Sequence, residues 1–337
     1  MRRMQSVVVD ERLIRWLHRA LVALILVAAL AAGGGERAAA QGDPVRVVAT
    51  TTQAADLARN VGGDRVEVQS IMGPGVDPHL YRASEGDLQT MFEADVILYN
   101  GLNLEGQMDE ILGSLAEDRP VVALGEAVPE EMRLQSEQYQ GEFDPHIWFD
   151  PIRWSYAVQA TATALAEFDP EDAAIYQANA ATYIGQIQTL DGEAMTRLSS
   201  IPAQQRVLIT AHDAFNYFGD RYGIEVVGIQ GISTESEAGI ADLQAVADLV
   251  VQRQIPAIFV ESTISPATIE AVQGAVRDRG AEIAIGGQLF SDAMGEDGTP
   301  EGTYLGMFRH NVQTIVTALG GNASATPVAS PASTPAA

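Results

Sequence analysis

Two Asp-Pro-His triplets stand in this sequence: Asp77-Pro78-His79 in GVDPHLYRAS and Asp144-Pro145-His146 in FDPHIWFDP. The chain has 337 residues and five histidines, so two of them in one three-residue setting ask for a reason. A third, His212, directly follows the apolar run VLITA, and Asp292 in LFSD follows a late strand pattern. Three neutral imidazoles and one carboxylate form a coherent donor set for a divalent cation. Imidazole suits Zn²⁺ and other transition metals, and carboxylate also suits harder ions such as Mn²⁺. Proline stiffens the backbone leading into His79 and His146. The neighbouring Asp77, Asp144 and Asp213 are expected to orient the imidazoles as hydrogen-bond acceptors. Glu261, which ends AIFVE, is the rival carboxylate, either a direct ligand or a supporting group. His310 reads as structural, within a helix near the C-terminus, and His18 belongs to the N-terminal leader.

These residues need a scaffold that brings them together. The first half alternates strand and helix signals: VRVVAT (45–50), a helix over 52–63, VEVQSIMG (66–73), then a helix capped by Ser84 with Asp87 at the capping-box position. ADVILYNG (94–101) and VVALG (121–125) continue the strands, and Asp150-Pro151 opens a further helix. The second half repeats the design with strands at 206–211, 226–231, 257–262 and 281–287, and helices from His212, at 240–254, 268–280 and 303–321. Strands separated by helices imply parallel sheets covered by helices on both faces. Ligands in such sheets bind beyond the C-terminal strand ends, where His79, His212 and Asp292 fall.

Between the halves, 170–200 carries few helix breakers and predicts one long helix on the order of 40 Å. A helix is a stiff connector, so only limited closure of the lobes is expected. The expected organisation is therefore an N-terminal α/β lobe at 44–169, a connecting helix at 170–200 and a C-terminal α/β lobe at 201–319. Each lobe is expected to have its own core.

Composition narrows the function. The body is globular, 47% hydrophobic and 19% charged. The net charge of −25 argues against a nucleic-acid partner. All the basic residues are Arg. Cysteine is absent, which removes disulfides, thiolate ligands and thiol nucleophiles, and also a lipid-modified cysteine. Arg12, Arg15 and Arg19 precede an apolar run from Ala20 to Ala32, too short to span a bilayer as a helix, and AAAQ (38–41) offers small residues for cleavage. Residues 1–40 thus read as an export signal, with an uncleaved anchor as the alternative. The Ala/Ser/Thr/Pro tail, 320–337, is expected to be disordered.

The chain resembles the metal-binding subunits of bacterial ABC importers, the cluster A-I or TroA/ZnuA-like solute-binding proteins. The stretches that carry the resemblance include DPHLYRASEGD, EADVILYNGLNLEGQMD, DPHIWFDPIRW, TAHDAFNYFGDRYGIEVVGIQGISTESEAG, FVESTISPATIEA and GGQLFSDAMGEDGTPEGTY, spread over 44–319. The resemblance implies two α/β lobes, each with a parallel four-stranded sheet, joined by one long rigid helix. It implies His79, His146, His212 and Asp292 as the metal ligands, with His212 opening a helix. It also implies delivery to a membrane permease with its cytoplasmic ATPase, by a periplasmic or extracellular protein. Many zinc-specific relatives carry a His-rich loop before the second triplet, and VPEEMRLQSEQYQGEF has no His. Manganese-dedicated relatives often place Glu where this chain has His212. The donor set thus leans to Zn²⁺, with Mn²⁺ or iron as the alternative cargo.

A metal receptor catalyses nothing. Four protein ligands fill a tetrahedral shell and leave no position for activated water. A secreted metal-dependent hydrolase would need an open position and a base, and neither HExxH nor GxSxG occurs. An adhesin is the third reading, and no motif specifies a partner for it. A monomer is expected.

Overall fold

The computed structural model describes residues 43–136 and 141–322. The expected export signal, with His18, and all but three residues of the expected tail lie outside the described residues. The described residues from Pro44 onward form one compact unit.

Val45–Ala49 (β1), Val66–Ser70 (β2), Val96–Tyr99 (β3) and Val121–Ala123 (β4) form a parallel sheet in the order β2-β1-β3-β4. Helices Thr52–Gly62 (α1), Glu85–Glu93 (α2) and Asp109–Leu115 (α3) alternate with them. The predicted capping box is present at α2: Ser84 accepts from the Asp87 N–H while the Asp87 side chain accepts from the Ser84 N–H. Pro151–Phe168 (α4) starts where Asp150-Pro151 predicts, with Asp150 Oδ1 accepting from the N–H groups of Ile152 and Arg153. Ala173–Leu198 (α5) is the long helix, 26 residues or about 39 Å.

The second half holds Val207–Thr210 (β5), Glu225–Gly228 (β6), Ala257–Glu261 (β7) and Ala284–Leu289 (β8). The expected single four-stranded sheet is bonded here as two parallel pairs, β5-β6 and β7-β8. The β7-β8 ladder also carries a register shift between Ile258 and Val260. Asn216–Tyr222 (α6), Ile240–Arg253 (α7), Ala267–Asp278 (α8) and Tyr304–Ala318 (α9) complete the half. The strand expected at 281–287 runs later. Gly286 and Gly287, which read as its end, lie inside β8. A Cβ on Gly286 would sit 2.7 Å from Ala318 and from Phe259, and one on Gly287 would sit 2.7 Å from Thr314. The two glycines let α9 lie close on the sheet.

Separate lobe cores were expected, and the apolar packing differs. Side chains alternate along each strand. Val45, Val47 and Ala49 of β1, Leu208 of β5 and Phe259 of β7 face one central cluster. Trp154 of α4, Tyr183 and Ile187 of α5, Phe218 of α6 and Phe308 of α9 fill the same cluster. Val48 and Ile97 face outward to a cluster under α2 and α3, and Val207, Ile209 and Ile258 to one under α7 and α8. Each half thus has its own outer layer, and the inner layer is shared. The reason lies in α4, α5 and α9, whose buried faces pack on one another as well as on strands. Polar contacts bind the same seam. Asp56 Oδ2 accepts from the Tyr183 hydroxyl (2.8 Å) and the Tyr304 N–H (3.2 Å).

Candidate metal centre

The site is assembled from strand ends. His79 sits in the loop after β2, His212 two residues after β5, and Asp292 three residues after β8. His146 comes from the turn before α4, immediately ahead of a 3₁₀ segment, Ile147–Phe149. His212 was expected to open a helix, and the structure differs. Residues 211–213 form a bend and α6 begins at Asn216. The bend presses against β6. A Cβ on Gly228 would lie 2.5 Å from both Cα and N of Asp213, so only glycine admits this approach.

All four residues are brought together. One ligand atom from each lies within 4.8 Å of every other. His79 Nε2 is 3.9 Å from Asp292 Oδ2, His212 Nε2 is 3.2 Å from the same oxygen, and His146 Nε2 is 3.5 Å from Oδ1. Ligand atoms around a tetrahedral zinc at 2.0–2.1 Å stand about 3.4 Å apart, so these separations suit a cation with little adjustment. His146 and His212 are fully buried, Asp292 is 2% exposed and His79 is 5% exposed.

Hydrogen bonding decides which atoms face the centre. Asp144 Oδ1 accepts from the His146 N–H at 2.9 Å and lies 2.7 Å from its Nδ1. Glu261 Oε1 accepts from the His212 N–H at 2.9 Å, and Oε2 lies 2.6 Å from its Nδ1. Both carboxylates therefore sit behind the rings and leave Nε2 free to point inward. Glu261, the rival to Asp292, stands on the far side of His212.

Asp77 and Asp213 do otherwise than expected, because their carboxylates find other donors. Asp77 Oδ1 accepts from the backbone N–H of His79 (2.9 Å), and its Oδ2 accepts from the Thr234 hydroxyl (2.7 Å). Asp213 accepts from Asn216 (2.9 Å), whose amide also reaches Asp144 Oδ2 (3.1 Å). His310 lies elsewhere, against the Gln288 carbonyl.

The pattern leaves five atoms without partners: the Nε2 of His79, His146 and His212, and both oxygens of Asp292. Each buried, unsatisfied polar atom costs about 1–3 kcal/mol. Five at one point form a site built for something that accepts five lone pairs. Electrostatics differ from ring to ring. Burial pushes the His79 imidazole down to about 3, so it stays neutral near pH 7 and keeps its lone pair. Burial also opposes charge on His212, but the carboxylates of Asp292 and Glu261 outweigh it and raise its pKa well above the usual value. Burial would raise Asp292, and the surrounding rings, His212 foremost, hold it below the usual carboxylate range.

Sequence reasoning missed the polar bonds that hold the loops. Trp148 Nε1 donates to the Ser291 carbonyl (3.0 Å) and fixes the residue before Asp292, with its ring 5.3 Å from that of His146. Asn100 donates to the Pro145 carbonyl (2.9 Å). Glu105 grips the turn carrying Asn100, accepting from Thr50 Oγ1 (2.7 Å) and from the N–H groups of Asn100 (2.8 Å) and Gly101 (3.1 Å). Gly101, Leu102 and Asn103 all have positive φ there, a strained run that only such bonds maintain. The run of polar residues after an apolar strand, YNGLNLE, was the available signal.

The fold and the donor set now stand together with one family. Residues 47–318 match the family described as "Zinc-uptake complex component A periplasmic", ZnuA. The chain belongs to the ZnuA family. It is 48% identical over 286 residues to "Zinc-binding protein TroA" of Treponema pallidum, covering 85% of this chain and 92% of that one. It is 45% identical over 306 residues to "Manganese-binding lipoprotein MntA" of Bacillus subtilis, covering 90% and 100%. It is 33% identical to "Iron-binding protein YfeA" of Yersinia pestis, covering 82% and 86%. The solved structure of the periplasmic zinc-binding protein TroA superposes with a TM-score of 0.80 at 47% identity, covering 82% of this chain and 99% of that one. The resemblance noted from the motifs thus holds over nearly all of the described residues.

Proposed function

We propose that this protein is the extracytoplasmic substrate-binding subunit of an ABC importer, capturing a divalent transition-metal cation and delivering it to the membrane permease. The observation that carries the reading is the convergence of five buried, unpartnered donor atoms from His79, His146, His212 and Asp292. Binding a cation at such a centre is worth on the order of 10 kcal/mol, enough to offset the cost of leaving those atoms bare. Zn²⁺ is the first cargo, because three imidazoles and one carboxylate suit it. Mn²⁺ is the second, and one observation favours it: both Asp292 oxygens are free, so the site offers five donors rather than four. Among the relatives, TroA is named for zinc, MntA for manganese and YfeA for iron.

Capture without catalysis is the reading this donor set supports for Zn²⁺, since four tetrahedral protein ligands leave no place for activated water. Lobes at 44–169 and 201–319, linked by the helix at 170–200, would hold the cation between them. Residues 1–40 would export the chain. With no Cys, it would work free of a lipid anchor, unlike MntA. It would act as a monomer beside a permease driven by a cytoplasmic ATPase.

The test is calorimetric titration of metal-stripped protein with Zn²⁺ and Mn²⁺, singly and in competition. One tight site per chain, abolished in His146→Ala, is expected. Absence of tight divalent binding in the unaltered chain would refute the reading.

A further inference from the structure

The four cluster residues are not held equally. His146 and His212 are each gripped at the ring and at the backbone by one carboxylate. The Asp292 loop is pinned through the Ser291 carbonyl, which accepts from Trp148 and, at 3.4 Å, from Gln53. For His79 the aspartate reaches only the backbone N–H. His79 Nε2 is also the farthest from Asp292, at 3.9 Å, and His79 is the most exposed of the four.

The two Asp-Pro-His triplets differ in one respect. Asp144 Oδ1 serves both the N–H and the ring of His146, whereas Asp77 Oδ1 serves the His79 N–H alone; the second oxygen is engaged in each, by Asn216 for Asp144 and by Thr234 for Asp77. Thr234 is 8% exposed and lies 157 residues away in sequence, in the GISTESEAG segment after β6. The root of that segment is clipped to the His212 bend: the Gln230 N–H donates to the Ala211 carbonyl (2.9 Å) and the Asp213 N–H to the Gly231 carbonyl (3.2 Å). The segment is thus a strap, tied to the His212 bend at one end and to the His79 loop at Thr234. A further bond from the segment to the first half, Gln107 Nε2 donating to Glu235 Oε1, is exposed and contributes little to holding it.

We propose that Thr234 is a positioning residue that fixes His79 against the rest of the cluster, through Asp77, and so sets how fast the cation is released. The inference rests on the reading of the cluster as the cargo site. Without the hydroxyl, Asp77 is free to turn and the His79 loop loses its tie to the second half. The other donors and the net charge stay as they were. Capture, governed by charge and diffusion, should change little, and release should accelerate.

The experiment uses the full chain as the unaltered protein, Thr234→Val, Thr234→Ser, Asp77→Ala and the Thr234→Val/Asp77→Ala double variant. Zn²⁺ release is followed by stopped-flow with excess chelator. The visible spectrum of Co²⁺-loaded protein reports the geometry around the metal, and thermal melts of metal-free protein report the fold. Thr234→Val should release Zn²⁺ about 10–100-fold faster with an altered Co²⁺ spectrum. Thr234→Ser should stay within about threefold of the unaltered protein. The double variant should release no faster than Asp77→Ala alone, because both changes cut one chain of contacts. Release from Thr234→Val at the unaltered rate, or equally fast release from Thr234→Ser, would overturn the proposal. So would additive acceleration in the double variant. If Thr234→Val melts far below the unaltered chain, the Asp77→Ala and Thr234→Ser arms still decide the matter. Failure of the unaltered chain to bind Zn²⁺ or Co²⁺ would strike the cargo-site reading itself, which is a different result.

Discussion

Glu261 holds His212 at two points, with Oε1 on the backbone N–H at 2.9 Å and Oε2 facing Nδ1 at 2.6 Å. The pair keeps a proton on Nδ1, so Nε2, 3.2 Å from Asp292 Oδ2, is the nitrogen that yields its proton to a cation. Glutamine at 261 has one acceptor oxygen. If that oxygen keeps the backbone N–H, its NH₂ faces Nδ1, favours the other tautomer and places a proton on Nε2. Glu261→Gln should therefore weaken Zn²⁺ binding by about 10–100-fold. Competition with a chelator of known affinity measures the loss, and unchanged affinity would contradict this role for the carboxylate.

Glu105 supplies a pH signature away from the metal. Burial raises its pKa, and the bonds from Thr50, Asn100 and Gly101 only partly oppose the rise. A carboxyl group whose folded pKa exceeds its unfolded value binds protons more tightly in the folded protein. Its contribution to stability is complete below the unfolded value of about 4.3 and falls as pH climbs through the folded one. Glu105→Gln is neutral throughout, though its NH₂ meets the Gly101 N–H, which costs about 1–3 kcal/mol. Melting curves of metal-free protein from pH 4 upward should show the variant less stable, with the gap narrowing as pH rises. A gap that widens would reverse the sign.

Gly228 tests the approach of the His212 bend. A Cβ there meets the Asp213 backbone at 2.5 Å, and backbone cannot rotate away. Gly228→Ala should destabilise the protein by about 1–3 kcal/mol and weaken metal binding, because the bend that moves carries His212. Denaturant unfolding together with Zn²⁺ titration checks both. Gly223, in the left-handed C-cap of α6 with nothing near its Cβ, is the control: alanine there should cost stability alone.

The shared central cluster makes a claim about cooperativity. Phe308 of α9 is fully buried with side chains of both halves. Phe308→Ala should cost about 3–5 kcal/mol while the protein still unfolds in one transition. Two transitions, followed by intrinsic fluorescence and circular dichroism, would mean that the halves fold independently. The same continuity, with the rigid α5, predicts that scattering profiles with and without Zn²⁺ differ little in radius of gyration.

The four cluster residues and most element positions were legible in the sequence because each rests on a local rule. Apolar runs bounded by turns gave the strands. Ser84 with Asp87 and Asp150 with Pro151 gave helix starts at the right residues. Repeated Asp-Pro-His and the histidine after VLITA gave the donors. The misreadings arose where a local signal serves a distant contact. Gly286-Gly287 reads as a strand end, yet it exists for the close passage of α9.

By itself, then, the sequence determined the donor chemistry, the alternation of strands and helices, and the long helix. These follow from side-chain type and periodicity, which are local properties. Only the tertiary structure showed why Asp292 faces the centre and which carboxylates stand behind the rings. Asp292 and Glu261 are both buried carboxylates at the ends of strands, Glu261 closing β7 and Asp292 following β8, and they differ in what surrounds them. Glu261 finds the Nδ1 and N–H of His212, while Asp292 finds three bare nitrogens and no donor that satisfies it. The same holds for Asp77 and Asp144, identical in their triplets: Asp144 reaches the ring of its histidine, while Asp77 reaches only the His79 N–H and a hydroxyl 157 residues away. A hydrogen bond needs its partner within about 3 Å, and only folding decides which groups arrive there.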